Sequence, residues 1–143
     1  MADFIGYPTG RLLGVFDQPW HADRAAIDLK GLGFLDMDRY EGSGDADRFD
    51  ATGRRHGRVE RVLRTVQFSL MDQLPAMAWY EAALRDGKTV LSVRTRSRAA
   101  TLRAVEAMKI GRGHFINHFG RAATEEFARW QGPEPNVPSL MKH

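Results

Sequence analysis

The chain has 143 residues, with 21 Lys and Arg, 18 Asp and Glu, and no Cys. This length suits one domain with its own core, and the lack of Cys excludes disulfides, thiolate metal sites and Cys nucleophiles. Hydrophobic residues make up 43% of the chain, and no apolar run reaches the roughly 20 residues that a membrane helix needs. The N-terminus lacks the layout of a signal peptide, so we expect a cytoplasmic protein with no membrane partner.

The positive charge is concentrated in the second part of the chain. Residues 1–50 carry 5 basic and 10 acidic side chains, whereas residues 51–143 carry 16 and 8. Seventeen of the 21 basic residues are Arg, which binds carboxylate and phosphate better than Lys does. A GC-rich coding bias would produce the same composition without any partner.

A strand, a helix and a second strand are predicted in the first third of the chain. Residues 12–16 form an apolar run of strand length, after which Asp17 can cap a helix that has Pro19 in its first turn. Gly31 and Gly33 end that helix, and residues 34–40 form the second strand. The apolar stripe of the helix comprises Ala22, Ala25, Ala26, Leu29 and Leu32.

A helical insertion is predicted next. Residues 42–47 read as a flexible acidic loop, and an amphipathic helix follows it. Pro75 separates this helix from another one, which ends at Gly87. The apolar stripe of the first helix comprises Val59, Val62, Leu63, Val66 and Leu70, and that of the second comprises Met77, Trp79, Tyr80, Ala83 and Leu84.

A second strand, helix and strand follow the insertion. Residues 89–93 predict a strand, a helical stripe runs from Leu102 to Met108, and residues 114–120 predict another strand. Glu125 and Glu126 are expected in a short, solvated C-terminal helix. Three prolines between residues 133 and 138 prevent the tail from continuing as a helix, so the tail is expected to be extended or disordered.

Both units place a Gly-x-Gly stop between the helix and the second strand. This repetition of strand, helix and strand on either side of the insertion predicts an α+β fold. The expected fold is a ferredoxin-like sandwich of two βαβ halves, with a four-stranded antiparallel sheet and a helical insertion at about residues 57–86. Right-handed crossovers would place both crossover helices on one face of the sheet. The single domain is predicted to span residues 1–127, and residues 128–143 form a Pro-rich tail.

A cluster of arginines is the candidate binding site. Arg58, Arg61 and Arg64 fall opposite the apolar stripe of the first insertion helix. The simpler interpretation is a solvated helix face, and the alternative is a surface that contacts an anion or a nucleic acid, whose affinity would fall steeply with salt. The full candidate set comprises Arg54, Arg55, Arg58, Arg61 and Arg64. Arg94, Arg96 and Arg98 alternate at the end of a predicted strand and would extend a positive surface.

The histidines do not predict a metal site. His114 and His118 would share one face of a strand about 13 Å apart, too far to bind one ion, and the roles of these two and of His56 stay open. The chain contains no Gly-x-Ser-x-Gly, no Walker loop and no Gly-x-Gly-x-x-Gly after a strand. We therefore predict no catalytic residue, no metal and no cofactor.

Several short segments resemble the heat-induced general stress protein (YflT-like) family. The resemblance lies in residues 13–17 (LGVFD), 31–34 (GLGF), 49–57 (FDATGRRHG), 80–87 (YEAALRDG) and 113–121 (GHFINHFGR). It implies a small bacterial α+β domain with a role in the stress response and supplies no catalytic residues. Many members carry a Gly-rich apolar stretch between the halves, where this chain has the Arg-faced helix.

The function predicted from the sequence is that of a non-enzymatic, stress-associated binding protein of unknown ligand. We expect a homodimer or a larger oligomer, because a sheet face or edge and the apolar residues 68–80 would invite pairing. One alternative is an RNA or ribosome binder that uses the Arg cluster. The other is a small-ligand or metal-dependent enzyme.

Overall fold

The computed structural model describes residues 7–49, 74–121 and 123–135. Within these ranges it contains five strands and four helices. The strands are β1 (Arg11–Phe16), β2 (Met37–Glu41), β3 (Thr89–Arg94), β4 (His114–Phe119) and β5 (Thr124–Ala128). The helices are α1 (Pro19–Gly31), α2 (Gly42–Phe49), α3 (Leu74–Arg85) and α4 (Arg98–Ile110). The insertion helix predicted on residues 59–70 lies outside the described residues.

All five strands belong to one sheet in the order β2-β3-β1-β4-β5, and every neighbouring pair is antiparallel. The α+β class is confirmed, but the prediction of four strands is wrong. Glu125 and Glu126, expected in a helix, lie in β5, which pairs with β4 at the edge of the sheet. This pairing satisfies the backbone groups of β4 that would otherwise be exposed at the edge.

The sheet is covered by helices on both faces, which gives three layers. Because side chains alternate along a strand, Leu12 and Phe16 of β1 face one way and Leu13 and Val15 the other. The first pair packs in a core with α1 and α4, and the second pair packs in a core with α2 and α3. Trp79 and Tyr80 of the apolar segment 68–80 are buried in that second core, so these two side chains offer no exposed pairing surface.

Helices α1 and α4, the two crossover helices, lie together on one face as the right-handed crossovers predict. The C-terminal end of α4 approaches α1 closely at Gly111, where an added Cβ would lie 2.9 Å from the Cβ of Ala25. Small residues on the inner side of α1, including Ala22 and Ala25, permit this approach. The side chain expected to cap α1, Asp17, does not do so, because Gln18 occupies the N-cap position.

The loop predicted on residues 42–47 is helical and forms most of α2. Asp45 accepts a hydrogen bond from the backbone N–H of Glu41 at 2.8 Å, which satisfies a donor at the start of the helix. Phe49 is buried and meets the ring of Tyr40 edge to face. Tertiary contacts therefore stabilise a helix in a Gly-rich segment that has low intrinsic helix propensity.

The chain after β5 contacts the body of the fold. Strand β5 ends at Ala128, and Trp130 packs edge to face against Trp79 in the core. The indole N–H of Trp130 donates to the carbonyl of Pro133 at 2.9 Å, which holds the chain that follows. Within the described ranges, no helix combines the length and the apolar character that crossing a bilayer requires.

Candidate functional site

The arginine cluster predicted as a binding site, Arg54, Arg55, Arg58, Arg61 and Arg64, lies outside the described residues, and so does His56. Arg94, Arg96 and Arg98, expected to extend that surface, lie within the described residues. Strand β3 ends at Arg94, and Arg98 is the first residue of α4, so these side chains do not alternate along one strand. Arg94 pairs with Asp36 at 3.1 Å and Arg98 pairs with Glu125 at 2.9 Å. The expectation of a continuous positive face here is therefore wrong.

His114 and His118 lie on opposite faces of the sheet, so the expectation that they share one face is wrong. Residues paired across antiparallel strands point to the same face. His114 pairs with Val15 and His118 with Leu12, and these two β1 residues belong to different cores. The register shifts between the two pairs because β4 carries a bulge that includes Phe115, whose φ is 46°.

The imidazole of His114 is held at both nitrogens. Its Nε2 lies 2.7 Å from a carboxylate oxygen of Asp17, and its Nδ1 accepts the backbone N–H of Gln131 at 3.1 Å. Since Nδ1 accepts, Nε2 carries the proton and donates to Asp17. Partial burial favours a raised pKa for Asp17, but hydrogen bonds from His114 and Lys88 outweigh it and the net pKa is lowered. His114 thus joins β4 to the start of α1 and to the segment after β5, which is a structural role.

His118 lines a polar cavity of about 270 Å³ at the N-terminus of α4. The cavity is lined by Thr95, Arg96, Ser97, Arg98, Thr101, His118 and Glu125. Burial lowers the pKa of His118, an effect that Glu125 opposes and Arg98 reinforces. A neutral imidazole here could exchange a proton with a small polar molecule.

The other polar groups of this cavity already bind one another. The Glu125 carboxylate takes two hydrogen bonds from Arg98, at 2.9 and 3.2 Å, and this interaction lowers the pKa of Glu125. The hydroxyl oxygens of Thr95 and Thr101 lie 2.7 Å apart. An anionic ligand would have to displace Glu125 from Arg98, so the cavity is a weak candidate for anion binding.

The more prominent surface feature is an apolar groove of about 750 Å³ between α1 and α4, which we call the α1/α4 groove. Large apolar side chains on its walls are well exposed: Ile27 at 67%, Ile110 at 61%, Leu32 at 48% and Leu102 at 44%. Two small residues, the exposed Gly31 and the buried Ala107, also line the groove. Four exposed aliphatic side chains around one groove are typical of an interaction surface rather than of a solvated helix face.

Charged residues of both signs line the same groove. Asp28 accepts a hydrogen bond from Arg24 one turn earlier on α1 at 3.1 Å. Arg103 and Glu106, both on α4, form no ion pair with any other residue of the described ranges. The groove therefore presents an acid and a base that are free to contact a partner.

The sequence contains a signal for this groove that the periodicity of apolar residues alone does not reveal. Leu32 and Leu102 fall on the predicted apolar stripes of their helices, but the structure exposes both at the groove. The side chains that α1 turns toward the sheet are mostly Ala, while the larger Ile27 faces outward. When a helix turns small residues toward the sheet and large aliphatic residues away from it, most of its apolar surface faces solvent.

Fold and groove together define an α+β protein with an exposed apolar surface on its paired crossover helices. The described residues include no group of three or more His, Cys, Asp or Glu side chains placed to hold a metal ion. Comparison with family models, with curated proteins and with solved structures finds no match to this chain.

Proposed function

We propose that this chain is a non-enzymatic binding protein whose partner is a protein surface seated on the α1/α4 groove. The observation that carries the proposal is the exposure of Ile27, Leu32, Leu102 and Ile110 around that groove. Complete burial of one such side chain contributes about 1.5–3 kcal/mol. Covering the groove would remove about half of each side chain from water, which contributes about 3–6 kcal/mol for the four together and offsets part of the cost of association.

The chemistry of the groove favours a protein over a phosphate-bearing partner. A nucleic acid or an anionic membrane needs an excess of positive charge, which the lining of the groove does not offer, because Glu106 offsets Arg103 and Asp28 is paired with Arg24. A protein surface can offer apolar side chains for the centre and charges of both signs for the edge. The mixed charge of the groove supports this choice.

The broader context of the proposal rests on the sequence. The resemblance to the general stress protein family supports a role in the stress response, and we place that role in the cytoplasm. The neighbouring strands β2-β3-β1-β4, with α1 and α4 on one face, support a ferredoxin-like core to which β5 is added. Folds of this kind serve many functions, so the function is argued from the groove.

A photo-crosslinking amino acid tests the proposal in cells of the native host. Placed at Leu102, in the groove, it should give a defined crosslinked product. Placed at Glu126, an exposed residue of β5 that does not line the groove, it should give none. The Leu102 product should disappear when Ile27→Asp is added. No product from Leu102, or equal products from both positions, would contradict the proposal.

The second candidate function is RNA or ribosome binding through Arg54, Arg55, Arg58, Arg61 and Arg64, which the basic excess of residues 51–143 supports. Co-sedimentation with ribosomes at low and high salt tests it, with Arg58→Glu plus Arg61→Glu as the variant. Binding that is lost with salt and with the variant supports this function. Binding that the variant leaves unchanged contradicts it.

A further inference from the structure

We infer that the partner seated on the α1/α4 groove is a second copy of this chain, related by a two-fold axis through α4. This inference rests on the proposed function, because it uses the same apolar surface. In this dimer, Arg103 of each copy contacts Glu106 of the other.

The charges of the groove are self-complementary. Arg103 and Glu106 lie three residues apart and therefore on the same side of α4, and both line the groove. Neither forms an ion pair within the described ranges. A two-fold axis perpendicular to α4 and midway between them sets two copies of the helix antiparallel, with each Arg103 opposite Glu106 of the second copy.

The same axis also matches the apolar residues by size. The midpoint of Arg103 and Glu106 is also the midpoint of Leu102 and Ala107. Leu102 of one copy therefore falls opposite Ala107 of the other, so that a large side chain meets a small one, as close helix packing requires. Both residues line the groove. One symmetry operation thus satisfies the charges and the shape together.

Dimerisation on this face would leave the rest of the fold unchanged. Apart from Ala107, which is buried, the side chains involved lie on the outer surfaces of α1 and α4, while the inner surfaces of these helices pack on the sheet. The dimer would bury Ile27 and Ile110, which are the most exposed of the four large apolar side chains in the groove. These two side chains supply the apolar area that the charge pairs alone would lack.

Charge reversal tests the relationship directly. In sedimentation velocity over a concentration series, the unmodified chain should be a dimer, and Arg103→Glu or Glu106→Arg alone should weaken self-association about tenfold or more, because like charges then face each other twice. An equimolar mixture of the two variants should form a heterodimer as tight as the original dimer. Glu126→Lys, which changes a charge on the exposed edge strand β5 away from the groove, should leave the dissociation constant unchanged.

Other results would overturn the inference. A monomer at every concentration, a dimer that neither charge reversal weakens, or a mixture that does not recover association would each do so. Crosslinking at Leu102 separates this failure from failure of the proposed function. A product of twice the mass of the chain supports the dimer, and a product of another mass overturns the dimer while the groove keeps its role as a binding site. No product overturns both.

Discussion

The hydroxyl of Tyr80 lies 2.8 Å from the carbonyl oxygen of Phe115, a residue of the β4 bulge that has a positive φ. The bulge interrupts the regular pairing of β4 with β1, and Tyr80 on α3 supplies a donor to a carbonyl at that position. Asn117 completes the arrangement, because its side-chain N–H donates to the Tyr80 hydroxyl at 3.0 Å. All three residues are buried. This network ties α3 to the irregular part of the sheet.

Tyr80→Phe should lower the free energy of unfolding by about 1–3 kcal/mol, since the Phe115 carbonyl and an Asn117 N–H lose a buried partner. Urea denaturation measures the change. Tyr40→Phe is the matched control: its hydroxyl makes a 3.5 Å contact with the exposed Asp38, so its cost should be smaller. Equal costs for the two variants would show that the Tyr80 network does not contribute as argued.

The alkaline side of the stability profile should depend on Tyr80. Burial raises the pKa of Tyr80 above the ordinary value of 10.0. When the pH exceeds about 10, the unfolded chain therefore releases the tyrosine proton while the folded chain retains it, and stability falls as the pH rises. Urea midpoints at about pH 8 and pH 11 should differ more for the original chain than for Tyr80→Phe. An equal loss in both proteins would contradict the assignment.

The strand and helix pattern is predictable where apolar runs are bounded by glycine or proline, as in β1, α1, β3, α4 and β4. Strand β5 is not, because Glu125 and Glu126 are exposed and the strand depends on pairing with β4. The helix α2 is missed for a related reason: Gly42 and Gly44 argue against a helix, and burial of Phe49 compensates.

The α1/α4 groove also depends on tertiary packing that the sequence pattern does not reveal. Periodicity predicts that α1 and α4 have apolar faces, but it does not tell which apolar residues remain outside once two helices lie side by side. Leu32 and Leu102 belong to the predicted stripes and are nevertheless exposed at the groove. The faces of His114 and His118 depend on a β-bulge, for which the residues around Phe115 carry no recognisable turn signal.

The close approach of α1 and α4 should be sensitive to one methyl group. Gly111→Ala would place a Cβ 2.9 Å from the Cβ of Ala25 and 3.2 Å from the backbone oxygen of His21. We expect a loss of about 1–3 kcal/mol in the free energy of unfolding, since neither neighbour can rotate away. In contrast, Gly44→Ala in α2 meets no atom within 4 Å and should stabilise by up to about 1 kcal/mol. Thermal or urea denaturation of both variants distinguishes a steric cost from a general effect of replacing glycine.

The titration of His118 should report the electrostatics of the polar cavity. Burial keeps its pKa below the ordinary value of 6.5, Glu125 raises it and Arg98 lowers it. Glu125→Gln should therefore move the pKa of His118 further down, whereas Arg98→Gln should move it up. Proton NMR of the imidazole resonances over the acidic and neutral range measures both shifts. Arg103→Gln is the control, because Arg103 lines the α1/α4 groove and not the polar cavity, and it should leave the pKa of His118 unchanged. If the two substitutions shifted the pKa in the same direction, direct interaction of Arg98 and Glu125 with His118 would be ruled out as the cause.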